Sequence, residues 1–470
     1  MSDPRIDYLV NPFMDLVSRN NFDNLKNKMH IFTGVTGQGK THSCVYDWIP
    51  ELLCGKETQL VIYSVPEDSV REDDLFEDIA FECGAKFEST RGHKNNKRLF
   101  NKVKKEINKG NPVLLTINHA SLSGGSAGQE FGEWLVQENI DCAIIIDEAH
   151  LWTVSCFENY KNVTGNTPSD YNAVLFKWCM KVSEVTSKIF GITATPNAEH
   201  LNKINPAPGM DFCIVNQFCP KELLIGRSAW LDNCELFDMS DAVFALQHAL
   251  SKFTNRRGFA TKKQTMMLQC APNIDSKNAN PWTIEYTKKQ ILNYLEQNPW
   301  FDRDEPILAV MATVNGKETK AMYAINGSYI ICDDGDDEIK ENLRDPEHPL
   351  TFLLTVEKGK CGMDITNLSS FMSFRSNVKR DSSGEEIIIS FLQQLGRLVR
   401  LNPGVELDEY DLSEYARSIK DNPALINQLI ANNSFDVYLP NTSTWKCATE
   451  VFTKQYCSTV VQARSWIGTL

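Results

Sequence analysis

The stretch Gly34-Val35-Thr36-Gly37-Gln38-Gly39-Lys40-Thr41 fits the phosphate-binding pattern G-x-x-x-x-G-K-[ST]. A loop of this kind must sit between a strand and a helix. Its glycines let backbone N–H groups curl toward phosphate, and the following helix presents its positive end. Met29-His30-Ile31-Phe32-Thr33 supplies a short apolar strand before it. Thr41 to Leu53 is expected to form a helix, perturbed by Pro50 and stopped near Gly55. Lys40 is placed to reach the β- and γ-phosphates and Thr41 to ligate Mg2+. Further on, Ile144-Ile145-Ile146 runs into Asp147-Glu148-Ala149-His150, an apolar strand ending in two carboxylates. In α/β proteins the ligand crevice opens at such strand ends. Asp147 suits a magnesium shell and Glu148 suits polarising an attacking water.

Other short apolar runs extend this frame. Leu60–Ser64, Pro112–Ile117, Cys142–Ile146 and Ile189–Thr193 read as strands separated by helix-length segments. Nearly continuous apolar strands of this length indicate a parallel sheet covered on both faces. A second series, Gln264–Cys270, Pro306–Met311 and Leu350–Val356, follows an amphipathic helix marked by Ala242, Phe244, Leu246, Ala249, Leu250 and Phe253. The expectation is an α/β chain with one domain over 1–215, a second over 216–420, and a small helical C-terminal tail over 421–470.

The 470 residues exceed what one core normally organises. No apolar run approaches the ~18 residues of a membrane span, so no membrane partner is expected. The start Met1-Ser2-Asp3-Pro4-Arg5 lacks the basic-then-apolar pattern of a signal peptide. Fourteen cysteines without a C-x-x-C pair read as reduced, mostly buried thiols. A cytoplasmic location is therefore expected. A net charge of −13 argues against coating nucleic acid by bulk electrostatics, though not against a local groove.

At Asp147-Glu148-Ala149-His150 the chain resembles the DEAH box of superfamily 2 helicases and translocases, and further motifs follow in family order. Thr193-Ala194-Thr195-Pro196 is similar to motif III, which couples the nucleotide site to the nucleic-acid path. Gly359 to Ile365 is similar to motif V, with Gly362 and Asp364 near the nucleotide. Gln393-Gln394-Leu395-Gly396-Arg397-Leu398-Val399-Arg400 is similar to motif VI. Arg397 and Arg400 share one face of a helix, where guanidinium groups can neutralise charge during phosphoryl transfer. Gln393 would orient phosphate or water. The resemblance runs from residue 29 to residue 400. It implies two tandem RecA-like P-loop NTPase domains, ATP and Mg2+ as cofactors, and His150, Thr193 and Thr195 as coupling residues. The restriction-enzyme-like and phage recombination branches look nearest. Three departures stand out: residues 1–37 hold no adenine-reading glutamine, Asn118-His119 replaces a Thr-His pair, and Asn197 replaces an arginine.

The implied partner is nucleic acid, with DNA favoured and RNA the alternative. Ser64 follows the second strand where relatives place a backbone contact, and Asn118 and His119 form a second candidate. Lys102, Lys104 and Lys105 lie in a basic segment whose Leu99, Phe100, Val103 and Ile107 form an apolar helical face. Arg256, Arg257, Lys262 and Lys263 make a weaker group. The acidic run Asp333 to Glu338 reads as an exposed turn. Two rival functions share the glycine loop and the acidic strand: a phage DNA-packaging ATPase, and a nucleotide-switched scaffold without motor activity.

Overall fold

The computed structural model describes residues 4–17, 28–34, 40–54, 58–65, 73–90, 95–149, 178–179, 181–186, 188–193, 211–216, 225–226, 228–271, 280–299, 301–314, 317–332, 336–356, 367–375, 395–396, 398–399, 412–455 and 457–470. The chain divides into two units, Met1–Cys219 and Pro220–Leu470. Among the described residues no helix is long and apolar enough to cross a membrane.

The first unit is built on strands β1 (Lys28–Thr33), β2 (Leu60–Val65), β3 (Lys86–Ser89), β4 (Val113–Asn118), β5 (Cys142–Ile146), β6 (Lys188–Thr193) and β7 (Asp211–Asn216). They form one sheet in the order β3-β4-β2-β5-β6-β1-β7, every neighbouring pair parallel. Alternation sorts each strand's side chains onto two faces. Leu60, Ile62, Ile144 and Ile146 enter the core beneath helices α5 (Asn96–Asn108) and α7 (Gly125–Gln137). Val61, Tyr63, Ala143 and Ile145 enter the opposite core with Phe13, Trp48 and Phe76. Both faces are dry, which is why these strands read as unbroken apolar runs.

The second core is floored by aromatics. Helix α1 (Pro4–Val17) places Phe13 flat against Trp48, with centroids 4.3 Å apart and planes 5° apart. Trp48 belongs to the helical segment after the glycine loop. That segment begins as α2 (Lys40–Ser43), widens into a π-helical turn (Cys44–Trp48), and continues as α3 (Ile49–Cys54). Ile49 N–H bonds back to Cys44 O, five residues earlier. Pro50 explains the widening, since it has no N–H to donate and its ring crowds the carbonyl four residues back. The perturbation expected from Pro50 is thus a π turn, not a break.

The second unit contains β8 (Trp230–Phe237), β9 (Thr265–Gln269), β10 (Pro306–Val314), β11 (Lys317–Ala324), β12 (Tyr329–Ile331), β13 (Phe352–Thr355), β14 (Leu368–Ser373), β15 (Ser434–Pro440) and β16 (Ser458–Thr459). The sheet order is β12-β11-β10-β13-β9-β14-β15-β8-β16. Seven strands run parallel, and the hairpin β11–β12 adds two antiparallel strands at one edge.

One expectation is corrected here. Residues 421–470 are not a helical tail. Within them, β15 is buried throughout and lies inside the sheet between β14 and β8. The flanking helices α11 (Leu412–Ile419), α12 (Pro423–Asn433) and α14 (Val460–Thr469) pack Leu429, Ala463 and Ile467 around Trp230. The segment completes a core of the second unit.

An ion cluster fastens β15 in place. Asp436 has no exposed surface. Arg256, on helix α8 (Ala242–Phe259), meets Asp436 at 2.5 Å and Asp232 at 3.0 Å, and donates to Ser369 O at 3.0 Å. Lys252 adds a contact to Asp436 at 3.2 Å. One helix is thereby tied to three adjacent strands. Arg256→Ala leaves a buried carboxylate short of its main partner and is expected to cost about 3–5 kcal/mol. The measurement is the urea unfolding midpoint of the second unit, and Asp436→Asn added to that variant should recover part of the loss.

Candidate nucleotide site

The C-terminal ends of the first unit's parallel strands gather Lys40, Asp147 and Glu148. Strand β5 ends at Ile146, and the chain turns through Asp147, Glu148 and Ala149. Glu148 has φ +51°, a left-handed conformation that non-glycine residues seldom adopt. Backbone bonds hold the turn on both sides. Asp147 N–H donates to Ser64 O at 2.8 Å, and Ala149 N–H donates to Ile192 O at 2.9 Å. Asp147 Oδ1 accepts the Glu148 N–H at 2.8 Å. The turn is therefore stitched to β2 on one side and β6 on the other.

Asp147 is 9% exposed, and its second carboxylate oxygen accepts the Tyr63 hydroxyl at 3.0 Å. Burial and the neighbouring Glu148 charge push its pKa up to about 6, against the pull of the Glu148 N–H, Tyr63 and the Lys40 ammonium. Tyr63 lies near Thr41 as well, and burial beside Asp147 raises its phenol. Lys40 Nζ donates to Gly34 O at 3.1 Å, and Gly34 N–H donates to Thr193 O at 3.1 Å. Lys40, Thr41, Asp147, Glu148, Gly34 and Thr193 thus meet at one end of the sheet. Tyr63 joins them. Its position in an apolar strand made it look like core, and only the opposing strand reveals its partner.

The donor set fits magnesium. Thr41 and Asp147 offer hard oxygens, and magnesium is held by few protein groups, with waters and phosphates completing its shell. A divalent cation beside Asp147 would also offset the burial and repulsion that raise this carboxyl.

Two of the residues expected to contact nucleic acid are buried. Ser64 is fully buried and His119 is 2% exposed, so neither faces solvent as a backbone contact. Their polar atoms meet each other, Ser64 Oγ to His119 Nδ1 at 2.7 Å, and His119 Nε2 reaches Asp147 O at 3.1 Å. Asn118 caps helix α6 (His119–Ser123) by accepting the Ser121 N–H at 2.7 Å.

The lysines of α5 are not brought to this turn. Asn96, at the start of α5, reaches Ser121 O, so that end lies near the strand tips. Lys102 to Lys105 follow about 9–14 Å further down the axis. Lys102 pairs with the buried Glu88 at 2.9 Å, and Lys104 lies 5.2 Å from the Trp134 ring centre. Lys105 is exposed. Gly37, Gly39, His150, Thr195, Gly362, Asp364, Gln393, Arg397 and Arg400 lie outside the described residues. Beside the last three, Leu395, Leu398 and Val399 are buried, and Val399 O accepts the Ala229 N–H at 2.8 Å.

Close packing behind the turn depends on Gly191 of β6. A Cβ there would lie 2.7 Å from Ala149 Cβ and 2.8 Å from Met29 Cε. Met29 ends in a flexible thioether, but Ala149 can yield only by moving its backbone.

No family model and no curated protein sequence matches this chain. Solved structures do. The fragment structure of a putative HsdR subunit of a type I restriction enzyme from Vibrio vulnificus YJ016 is 13% identical with a TM-score of 0.53, covering 97% of this chain and 66% of that one. Mss116p bound to ssRNA and AMP-PNP is 14% identical with a TM-score of 0.51, covering 97% and 73%. S. cerevisiae Dbp5 bound to RNA and ADP BeF3 is 10% identical with a TM-score of 0.49, covering 99% and 92%. The chain shares the fold of the HsdR fragment and of Mss116p, with two α/β units, each built on a largely parallel sheet.

Gly191→Ala is expected to displace the Asp147–Ala149 turn, costing about 1–3 kcal/mol of stability. A thermal melt of the variant against wild type checks the loss.

Proposed function

We propose that the chain is an ATP-dependent translocase or helicase acting on nucleic acid. The observation that carries this reading is the meeting of Lys40, Thr41, Asp147 and Glu148 around one turn, with Glu148 held in a left-handed conformation. Strained, over-determined backbone of this kind concentrates at functional turns. The fold shared with Mss116p, whose structure holds ssRNA and AMP-PNP, adds support.

Phosphoryl transfer asks little covalent work of a protein, so its residues act by position and charge. Gly34, whose own N–H is taken by Thr193 O, opens the loop from which Gly37 and Gly39 would turn backbone N–H groups toward the phosphates, and Lys40 neutralises the β- and γ-oxygens. Thr41 and Asp147 hold Mg2+, which neutralises charge on the phosphates when bound. Glu148 orients and polarises the attacking water. Gly362, Asp364, Gln393, Arg397 and Arg400 are the second unit's proposed contribution to nucleotide handling and hydrolysis. Thr193, tied to Gly34 through its carbonyl, acts with Thr195 and His150 to link the nucleotide state to the grip on nucleic acid.

ATP hydrolysis measured with single- and double-stranded DNA and RNA, branched forms included, tests the reading. Stimulation by at least one of these is expected, DNA above RNA. Lys40→Ala should abolish turnover. Glu148→Gln should still bind nucleotide while hydrolysing it at least a hundredfold more slowly, given the ~10²–10⁴-fold worth of a positioned proton acceptor. Wild-type turnover in either variant would refute the site.

The pairing of Lys102 with Glu88 and of Lys104 with Trp134 makes α5 an outer layer of the domain. Replacing Lys102, Lys104 and Lys105 together with Ala is expected to leave the salt dependence of nucleic-acid affinity unchanged. A log–log slope flattened by about 0.7–0.9 per lysine would instead place them on the phosphate backbone.

A further inference from the structure

Strand β2 sends Tyr63 and Ser64 to opposite faces of the sheet, and both lead to Asp147. Tyr63 holds the carboxylate. Ser64 acts through His119 on the main-chain carbonyl of Asp147. That carbonyl belongs to the same peptide plane as the Glu148 N–H, and the tilt of the plane sets the Glu148 φ of +51°. The plane is gripped at both ends. Its oxygen meets His119 Nε2 at 3.1 Å, and its N–H donates to Asp147 Oδ1 at 2.8 Å.

Donor logic fixes the direction of this chain of contacts. A carbonyl oxygen only accepts, so Nε2 bears the hydrogen; in the neutral ring Nδ1 then accepts, and Ser64 Oγ–H donates. His119 is itself held firmly. It opens α6, whose first turn is capped by Asn118, and Ser123 Oγ donates to His119 O at 2.9 Å. Gln129 Nε2 donates to Ser123 O at 2.9 Å, and a Cβ on Gly128 would come 2.5 Å from Leu122 O. The ring is thus mounted on a close-packed block, while Ala120 on the same short helix is exposed and Ser121 half-exposed.

We propose that His119 is a positioning residue for hydrolysis. Its Nε2–H sets the orientation of the Asp147–Glu148 peptide and thereby the aim of the Glu148 carboxylate. The inference rests on the ATPase reading above and deepens it. Nothing in this role requires His119 to touch nucleotide, so its loss should separate binding from turnover.

The test compares wild type, His119→Ala, His119→Gln and Ser64→Ala for kcat, for the Kd of a fluorescent ATP analogue, and for melting temperature. His119→Ala should lower kcat at least tenfold with the analogue's Kd within twofold of wild type. His119→Gln, whose amide N–H can replace Nε2–H, should restore kcat to within about threefold. Ser64→Ala should lower kcat two- to fivefold, because the ring loses the partner that fixes its tautomer. Wild-type kcat in His119→Ala, or a joint loss of binding and turnover that Gln does not rescue, overturns the inference. Should His119→Ala fail to fold, wild-type kcat in Ser64→Ala overturns it. An active wild type with an unaffected His119→Ala sinks this inference alone, whereas a wild type that binds the analogue and never hydrolyses ATP sinks the ATPase reading together with it.

Discussion

A single carboxylate, Asp147, organises the working end of the first unit. It sits where burial disfavours charge, beside a second carboxylate, and its pKa of about 6 records both costs. Three groups offset them: the Tyr63 hydroxyl, the Glu148 N–H and the Lys40 ammonium. Each comes from a different part of the chain, namely β2, the turn itself and α2. The parallel sheet makes their meeting possible. Side-by-side strands that all point one way deliver their ends to one place, and residues distant in sequence become neighbours.

The same arrangement explains which parts were legible beforehand. Ile144-Ile145-Ile146 before Asp147 could be read directly, because a strand covered on both faces must be apolar at every position. Lys40 and Thr41 were legible because a phosphate loop needs glycines and a lysine at fixed spacing. The roles of Tyr63 and His119 were not, since their contacts to Asp147 span 84 and 28 residues of chain. A tyrosine inside an apolar strand looks like packing until the opposing strand is known. Ser64 and His119 were singled out as surface contacts, and burial turned them inward.

Strand β15 shows the converse. Asp436 and Pro440 make Ser434–Pro440 look unsuited to the interior of a sheet, and the neighbouring helical patterns suggested a tail. Arg256, on a helix far earlier in the chain, removes the objection by meeting Asp436 inside the core. A buried charge is tolerable only where its partner is also fixed, and no local window of sequence contains both. Likewise, the antiparallel hairpin β11–β12 has no counterpart in the parallel pattern from which the second sheet was inferred.

The π turn at Cys44–Trp48 has a geometric result of its own. An extra residue in one turn rotates everything beyond it by about 100° relative to an unbroken α-helix. Cys44 and Val45 at the start of the turn, and Leu52 and Leu53 after it, can therefore all reach the same aromatic core. Pro50, which alone would read as a helix breaker, acts as a phase corrector. It brings Trp48 and Ile49 into that core together with the residues on either side of them.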